Sequence, residues 1–339
     1  MWPPDSHADT EVSFSVVAST STLTNVRVRF PPAPDDCAIL FGAVRLDCGQ
    51  TIDFTLLDAE IATFTSTTTD LSGTLVEASL PVAVYAKSTR VTIGPSNVTD
   101  SASEQLFPFS AWGTEFIVAP VPDNNQSGYS IRVTCGSAYG VSVDIAGIVR
   151  QLTPQRPLTV GFADNRPARV AVVGGSGNGV QVMQFVHGAT VAADSGAPSA
   201  LVVPAVQRFG SVYNLRAADG YIEYVSVVSR LSDVSGLRLD GRPLGLADSA
   251  WIDVDSSSDW VTAAVQLPAS RSSTLEHDGR QEFGAYSYGY IRGHCAFAHP
   301  AGASLPLQVI THRITVICSV DLLFPNLRIY RPTLFLQLT

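Results

Sequence analysis

TyrSerIleArgValThr at 129–134, followed by GlyValSerValAspIle at 140–145, is the stretch from which the fold can be read. In both runs an apolar side chain recurs at every second position, with Ser, Arg, Thr or Asp between. That is the period of a half-buried strand and of no helix. The reading extends outward to SerPheSerValValAla (13–18), AsnValArgValArgPhe (25–30), ProValAlaValTyr (81–85) and GluPheIleValAla (115–119). Turn chemistry separates the runs, as in ValProAspAsnAsnGlnSerGly (121–128) and GlyGlySerGlyAsnGly (174–179), the second read as a hairpin turn. No stretch of helical length carries apolar residues at i, i+3, i+4 and i+7 with caps. The sequence reads as all-β.

The strands recur as a group. SerPheSerValValAlaSer with AsnValArgValArgPhe near 13–30 matches the 129–145 stretch, and again GluTyrValSerValValSer with GlyLeuArgLeuAsp at 223–240. PheProPheSerAlaTrpGlyThrGluPhe (107–116) has its echo in ValProAlaValGlnArgPheGlySerValTyr (203–213). A period of roughly 100 residues with about seven short strands suits tandem antiparallel β-sandwich-like units, with a β-propeller of four-stranded blades as the alternative. The expected divisions are a first β unit over 1–103, incomplete at its N-terminus, a second over 104–198, a third over 199–305, and an unassigned tail over 306–339.

Composition narrows the function classes. The 339 residues are 45% apolar but only 15% charged, too uncharged for a coiled-coil surface and too apolar for disorder. The net charge of −9, without any basic stripe, makes nucleic acid and anionic membrane poor partners. Nowhere do apolar residues run long enough to span a bilayer. The first residues, MetTrpProProAspSerHis, contain no basic region followed by an apolar one, so either the protein is intracellular or its true N-terminus is missing.

Four stretches together resemble the N-terminal domain family of IgGFc-binding proteins. They are AspLeuSerGlyThrLeuValGluAlaSerLeuProValAlaValTyrAla (70–86), GluGlnLeuPheProPheSerAlaTrpGly (104–113), ProSerAlaLeuValValProAlaValGlnArgPhe (198–209), and PheGlyAlaTyrSerTyrGlyTyr (283–290) with HisProAlaGly (299–302). The motif positions are Asp70, Gly73, Pro81, Glu104, Gln105, Pro108, Trp112, Gly113, Pro198, Pro204, Phe283, Tyr288, Gly289, Pro300 and Gly302. Phe107 replaces a proline of the family pattern and Leu80 a lysine, and Cys295 to His299 replace a more aromatic approach to ProAlaGly. The resemblance implies a secreted, non-enzymatic recognition or scaffolding module of mucus, coat or matrix. It further implies protein or glycoprotein partners and a place within a larger multidomain protein. Fc binding is not carried over, since no motif residue is tied to it.

Physically, the motif residues read as scaffold. Asp70 and Ser72 can accept backbone hydrogen bonds while Gly73 takes φ > 0, making a compact turn into the next strand. Trp112 would fill an inter-sheet gap, with Gly113 letting a backbone approach. Tyr286, Tyr288 and Tyr290 share a strand face, with Gly289 opposite.

Residues suited to chemistry are few. No cofactor motif is present: GlyGlySerGlyAsnGly lacks the helix that a nucleophile elbow or dinucleotide loop needs. His294, Cys295 and His299 want a fourth ligand to hold a metal. Asp253 and Asp255 share a strand face and carry the rival reading, a carbohydrate-binding or carbohydrate-active sandwich. A structural spacer is the third reading. Asn97-Val98-Thr99 and Asn125-Gln126-Ser127 are sequons in turn-like segments. Five cysteines fit either reduced thiols or one or two disulfides with a spare. The expected pairs are Cys37 with Cys48, across a short hairpin, and Cys295 with Cys318.

Overall fold

The computed structural model describes residues 11–32, 37–94, 98–122, 128–136, 139–175, 179–188, 196–245, 247, 250–292 and 295–304, with the strand backbone at 312–315. Contacts divide the chain into two compact units, one of residues 1–91, 101–110 and 306–339, the other of 92–100 and 111–305.

The first unit carries β1 (Val12–Ala18), β2 (Thr24–Arg29), β3 (Ile39–Phe41), β4 (Val44–Leu46), β5 (Thr51–Leu56), β6 (Ile61–Ser66), β7 (Leu75–Ala78), β8 (Val82–Val91) and β9 (Asp100–Gln105). One sheet runs β4-β3-β6-β1-β8-β9 and the other contains β7-β2-β5. Strand β2 shows how the pattern works: Thr24, Val26 and Val28 are buried while Asn25, Arg27 and Arg29 face out. Outward Arg27 forks onto Asp53 across the ladder at 2.7 and 3.0 Å, a surface pair contributing about 0.2–1 kcal/mol. Inside, Phe14, Phe41 and Phe64 of one sheet meet Phe54 of the other, and this aromatic core makes the two sheets a sandwich. Cys37 and Cys48 form a disulfide, Cα to Cα 5.7 Å, at the foot of the β3–β4 hairpin. Replacing both with serine is expected to lower the first unit's unfolding free energy by about 2–3 kcal/mol, read by urea titration, because the crosslink closes a short loop.

The second unit carries β10 (Glu115–Val118), β11 (Tyr129–Cys135), β12 (Val141–Ile145), β13 (Ile148–Leu152), β14 (Leu158–Phe162), β15 (Ala168–Gly174), β16 (Val180–Val186), β17 (Ser199–Val203), β18 (Val212–Arg216), β19 (Ile222–Arg230), β20 (Leu237–Leu239), β21 (Arg242–Pro243), β22 (Ile252–Asp253), β23 (Trp260–Gln266), β24 (Ser272–His277), β25 (Gly284–Tyr290) and β26 (Ala296–Pro300). Its sheets run β10-β15-β12-β13 and β14-β11-β16-β17, then β18-β24-β20-β21 and β22-β23-β19-β25-β26. The matching orders make two further sandwiches. In one, Ile131, Val133, Val143, Val170 and Val182 meet between the sheets; in the other, Tyr213, Val225, Val227, Leu237, Leu275 and Phe283 do. Strands related by the sequence repeat occupy the same places: β1, β11 and β19 lie inside one sheet, and β2, β12 and β20 lie second from the edge of the other.

The chain thus passes repeatedly from one sheet to its partner, with consecutive strands in different sheets at β1–β2, β6–β7, β11–β12, β15–β16 and β19–β20. A propeller blade keeps them side by side, so the propeller alternative is set aside. GlyGlySerGlyAsnGly is likewise corrected: β15 and β16, which it joins, lie in different sheets, so it is a crossover and not a hairpin. A last strand, β27 (His312–Thr315), pairs with β7 and places part of the unassigned tail in the first unit. No helix among the described residues is long and apolar enough to cross a membrane.

Candidate binding surface

The motif residues hold backbone together. Asp70 Oδ1 accepts the Ser72 N–H at 2.9 Å, Gly73 sits at φ +93°, and the Thr74 hydroxyl donates to the Leu71 carbonyl at 2.7 Å, turning the chain into β7. Pro81 opens β8, and its carbonyl accepts the Ser19 hydroxyl at 3.0 Å. Pro108 precedes a single 3-10 turn, Phe109–Ala111, after which Trp112 is buried. Gly113 exchanges backbone hydrogen bonds with Val180 at 3.3 and 2.8 Å. Pro198 and Pro204 are buried at either end of β17. The Phe283 carbonyl accepts the Tyr213 hydroxyl at 2.6 Å, and the Phe297 ring occupies the space where Gly289 would carry a Cβ. Gly302 lies against the Tyr213 ring, and Pro300 stands opposite Tyr286 in register.

The tyrosine strand is scaffold, as its residues read, and offers no contact face. Tyr286, Tyr288 and Tyr290 are 4, 3 and 0% exposed. Both faces of β25 are covered, one by the third sandwich's own core and the other by the second sandwich, where the Tyr286 hydroxyl donates to the Ile117 carbonyl at 2.9 Å. Burial raises the Tyr286 phenol well above its ordinary value, as a filler rather than an acid or base requires.

The acidic and thiol candidates do not converge on a site. Asp253 is exposed on β22. Partial burial alone would raise the Asp255 carboxyl, but hydrogen bonds from Ser257 and Ser258 in its own turn hold it below the usual value. The two carboxylates therefore serve a strand and a turn. Cys295 shares a 3.1 Å hydrogen bond with the Tyr221 hydroxyl, which, ahead of burial, pushes that phenol up to about 12. His299 Nδ1 lies 3.0 Å from the Pro300 carbonyl. His294, Cys318 and both sequon asparagines, Asn97 and Asn125, fall outside the described residues.

Glu104, near the end of β9 beside exposed Gln105, has a carboxyl shifted the other way from that of Asp255. Part of the side chain reaches solvent, yet burial of the carboxyl pushes it up to about 8 against a hydrogen bond from the Gln105 backbone. A folded value above the unfolded one means that the native state holds the extra proton. Stability should therefore fall as pH rises from about 4.5 to about 8, by no more than ~1.4 kcal/mol for each pH unit crossed. Glu104→Gln is expected to flatten that slope in melting temperatures taken across the window.

What remains exposed is an edge. The outer strand next to β2, β12 and β20 is β5, β13 and β21 respectively. Strand β5 shows Thr51, Asp53 and Thr55 to solvent, and β21 is two residues ending in Pro243; charge, brevity and proline all discourage pairing. Strand β13 carries exposed Arg150 at its third position, as β5 carries Asp53, but it opens on two exposed apolar residues. Ala146 and Gly147, both at positive φ, turn tightly out of β12, and Ile148 and Val149 follow at 54 and 59% exposure. The doublet was legible as IleVal after AlaGly, but period-two reading assigns one of any such pair to the core. Elsewhere in the same unit, a cavity of about 310 Å³ is lined by Pro120, Val121, Asn165, Ser226, Ile252 and Thr262 among others, with no charged side chain among the described residues of its wall.

A profile of the family described as IgGFc binding protein matches residues 2–289. The human protein named IgGFc-binding protein (Homo sapiens) is 29% identical over 267 residues, covering 78% of this chain and 5% of that protein. The chain thus spans a small fraction of the length of this relative. No solved structure matches.

Proposed function

The chain belongs to the IgGFc-binding protein family, and from that premise we propose that it is an exported recognition module that engages protein or glycoprotein partners through the β13 edge. The carrying observation is the unprotected apolar start of β13, the exception among three topologically equivalent edges. The Cys37–Cys48 disulfide agrees with an oxidising compartment, and the two sequons with passage through a glycosylating one. The chain's small share of its relative's length favours service as one module of a longer mucus, coat or matrix protein. Its motif residues act as frame, and recognition falls to the edge and loops they position.

Interferometry of the full chain against human IgG Fc, the ligand in the relative's name, and against solubilised mucus glycoproteins tests this reading. Saturable binding to at least one probe is expected, weakened about 10-fold or more by Val149→Lys with the melting temperature unchanged. Equal binding by the variant would remove β13 from the contact surface. A folded chain that binds neither probe would count against recognition itself.

A further inference from the structure

The three sandwiches share one strand order but differ in the source of one strand. In the second, the strand outside β15 is β10, which directly precedes β11; in the third, the strand outside β24 is β18, which directly precedes β19. Register sets Phe116 of β10 opposite Val170 and Tyr213 of β18 opposite Leu275, all four buried. In the first sandwich the equivalent place, outside β7, is taken by β27 from the other end of the chain. Ile314 stands opposite fully buried Val76 there, the register position that Phe116 and Tyr213 hold in the others.

An element supplied from so far away is tied only by the intervening chain. Most of that chain is the folded second unit, so β27 reaches β7 as a linked segment, at an effective concentration of roughly millimolar order. The ladder it earns is four residues long, with each hydrogen bond contributing about 0.5–1.5 kcal/mol net. Every copy of the chain carries the same strand, which makes the same ladder on β7 whether it comes from its own molecule or a neighbour. Ladder energy therefore does not discriminate between the two, which is the condition for strand exchange between protomers. We propose that the β7 edge is a docking surface for a second copy of this chain, with β27 of one molecule completing the first sandwich of another. The proposal rests on the strand order and register and not on the recognition reading, so each can fail alone.

Full-length chains with Cys295→Ser and Cys318→Ser provide the test. Mixing a Glu77→Cys chain with an Arg313→Cys chain, at residues that are register partners, should give a disulfide-linked dimer under mild oxidation. Its yield should exceed by about 5-fold or more that from Thr55→Cys, on the β5 edge, mixed with Arg313→Cys. Both substitutions in one dilute chain should give an internally crosslinked monomer. Internal crosslinking without dimer above the control would overturn the exchange; absence of both products would overturn the placement of β27. Sedimentation of the wild-type chain reads the joint without altering β7. Self-association weakened about 10-fold by Ile314→Pro is expected, since proline removes a ladder N–H. A wild-type chain that stays monomeric at millimolar concentration, or association that ignores Ile314→Pro, would sink the proposal.

Discussion

Phe64→Ala should lower the unfolding free energy of the first unit by about 3–5 kcal/mol, the cost of deleting a ring from a core that cannot collapse around the void. Phe64 is fully buried, and its ring centre lies 4.6 Å from Phe41, 4.8 Å from Phe14, 5.7 Å from Phe30 and 5.9 Å from Phe54. No neighbour can move into the gap without abandoning another ring. The neighbours come from both sheets, so the loss falls on the contact that makes the sandwich. Urea titration of the full chain should show the loss as an early transition. Leu57→Ala, at a half-exposed loop position, should move the same transition by less than about 0.5 kcal/mol. A Phe64 variant no weaker than that control would contradict this core.

The second large effect is expected at Gly113. A Cβ there would lie 2.2 Å from Ala205 Cβ and 2.7 Å from Gln207 Oε1, while a Cβ on facing Gly179 would lie 2.1 Å from the Gly113 carbonyl oxygen. Two glycines thus face each other where the segment after Trp112 is stitched to the start of β16. Gly113→Val adds overpacking of about 1–3 kcal/mol to the weakening of two backbone hydrogen bonds, so a loss of about 3 kcal/mol or more is expected. Trp112 is buried next to this contact, and its fluorescence should shift to the red as the segment lifts. A Gly113→Val chain with unchanged emission and stability would show that the backbones do not need this approach.

The physical origin of each feature explains which parts of this architecture could be read from residues alone. Period-two runs became β1, β2, β10, β11 and β12 within a residue or so, because alternate burial is a local consequence of strand geometry. The Asp70–Gly73 turn was equally local. The tyrosine strand was not: PheGlyAlaTyrSerTyrGlyTyr alternates large with small, yet both of its faces are covered. The alternation records ring size on one face and close packing on the other, and only the neighbouring sandwich shows that neither meets water. The β13 edge is invisible for a similar reason. Whether Ile148 and Val149 are core or contact depends on how far the strand overhangs its partner sheet, which no periodicity encodes. The crossover at 174–179 was misread because glycine-rich connections look the same whether they fold back within a sheet or pass to the next one.

Strand β27 also bears on the order of events during synthesis. The first sandwich leaves the ribosome ahead of the others but waits for a strand encoded after the third. At translation rates of about 5–20 residues per second, β7 stays unpaired on its outer side for tens of seconds. Folding from the N-terminus forward can finish the second and third sandwiches as they emerge, yet the first made of these three is the last of the three to be completed. During that interval the nascent chain offers chaperones one defined edge, and a transcript cut short before His312 would leave that edge permanently uncovered.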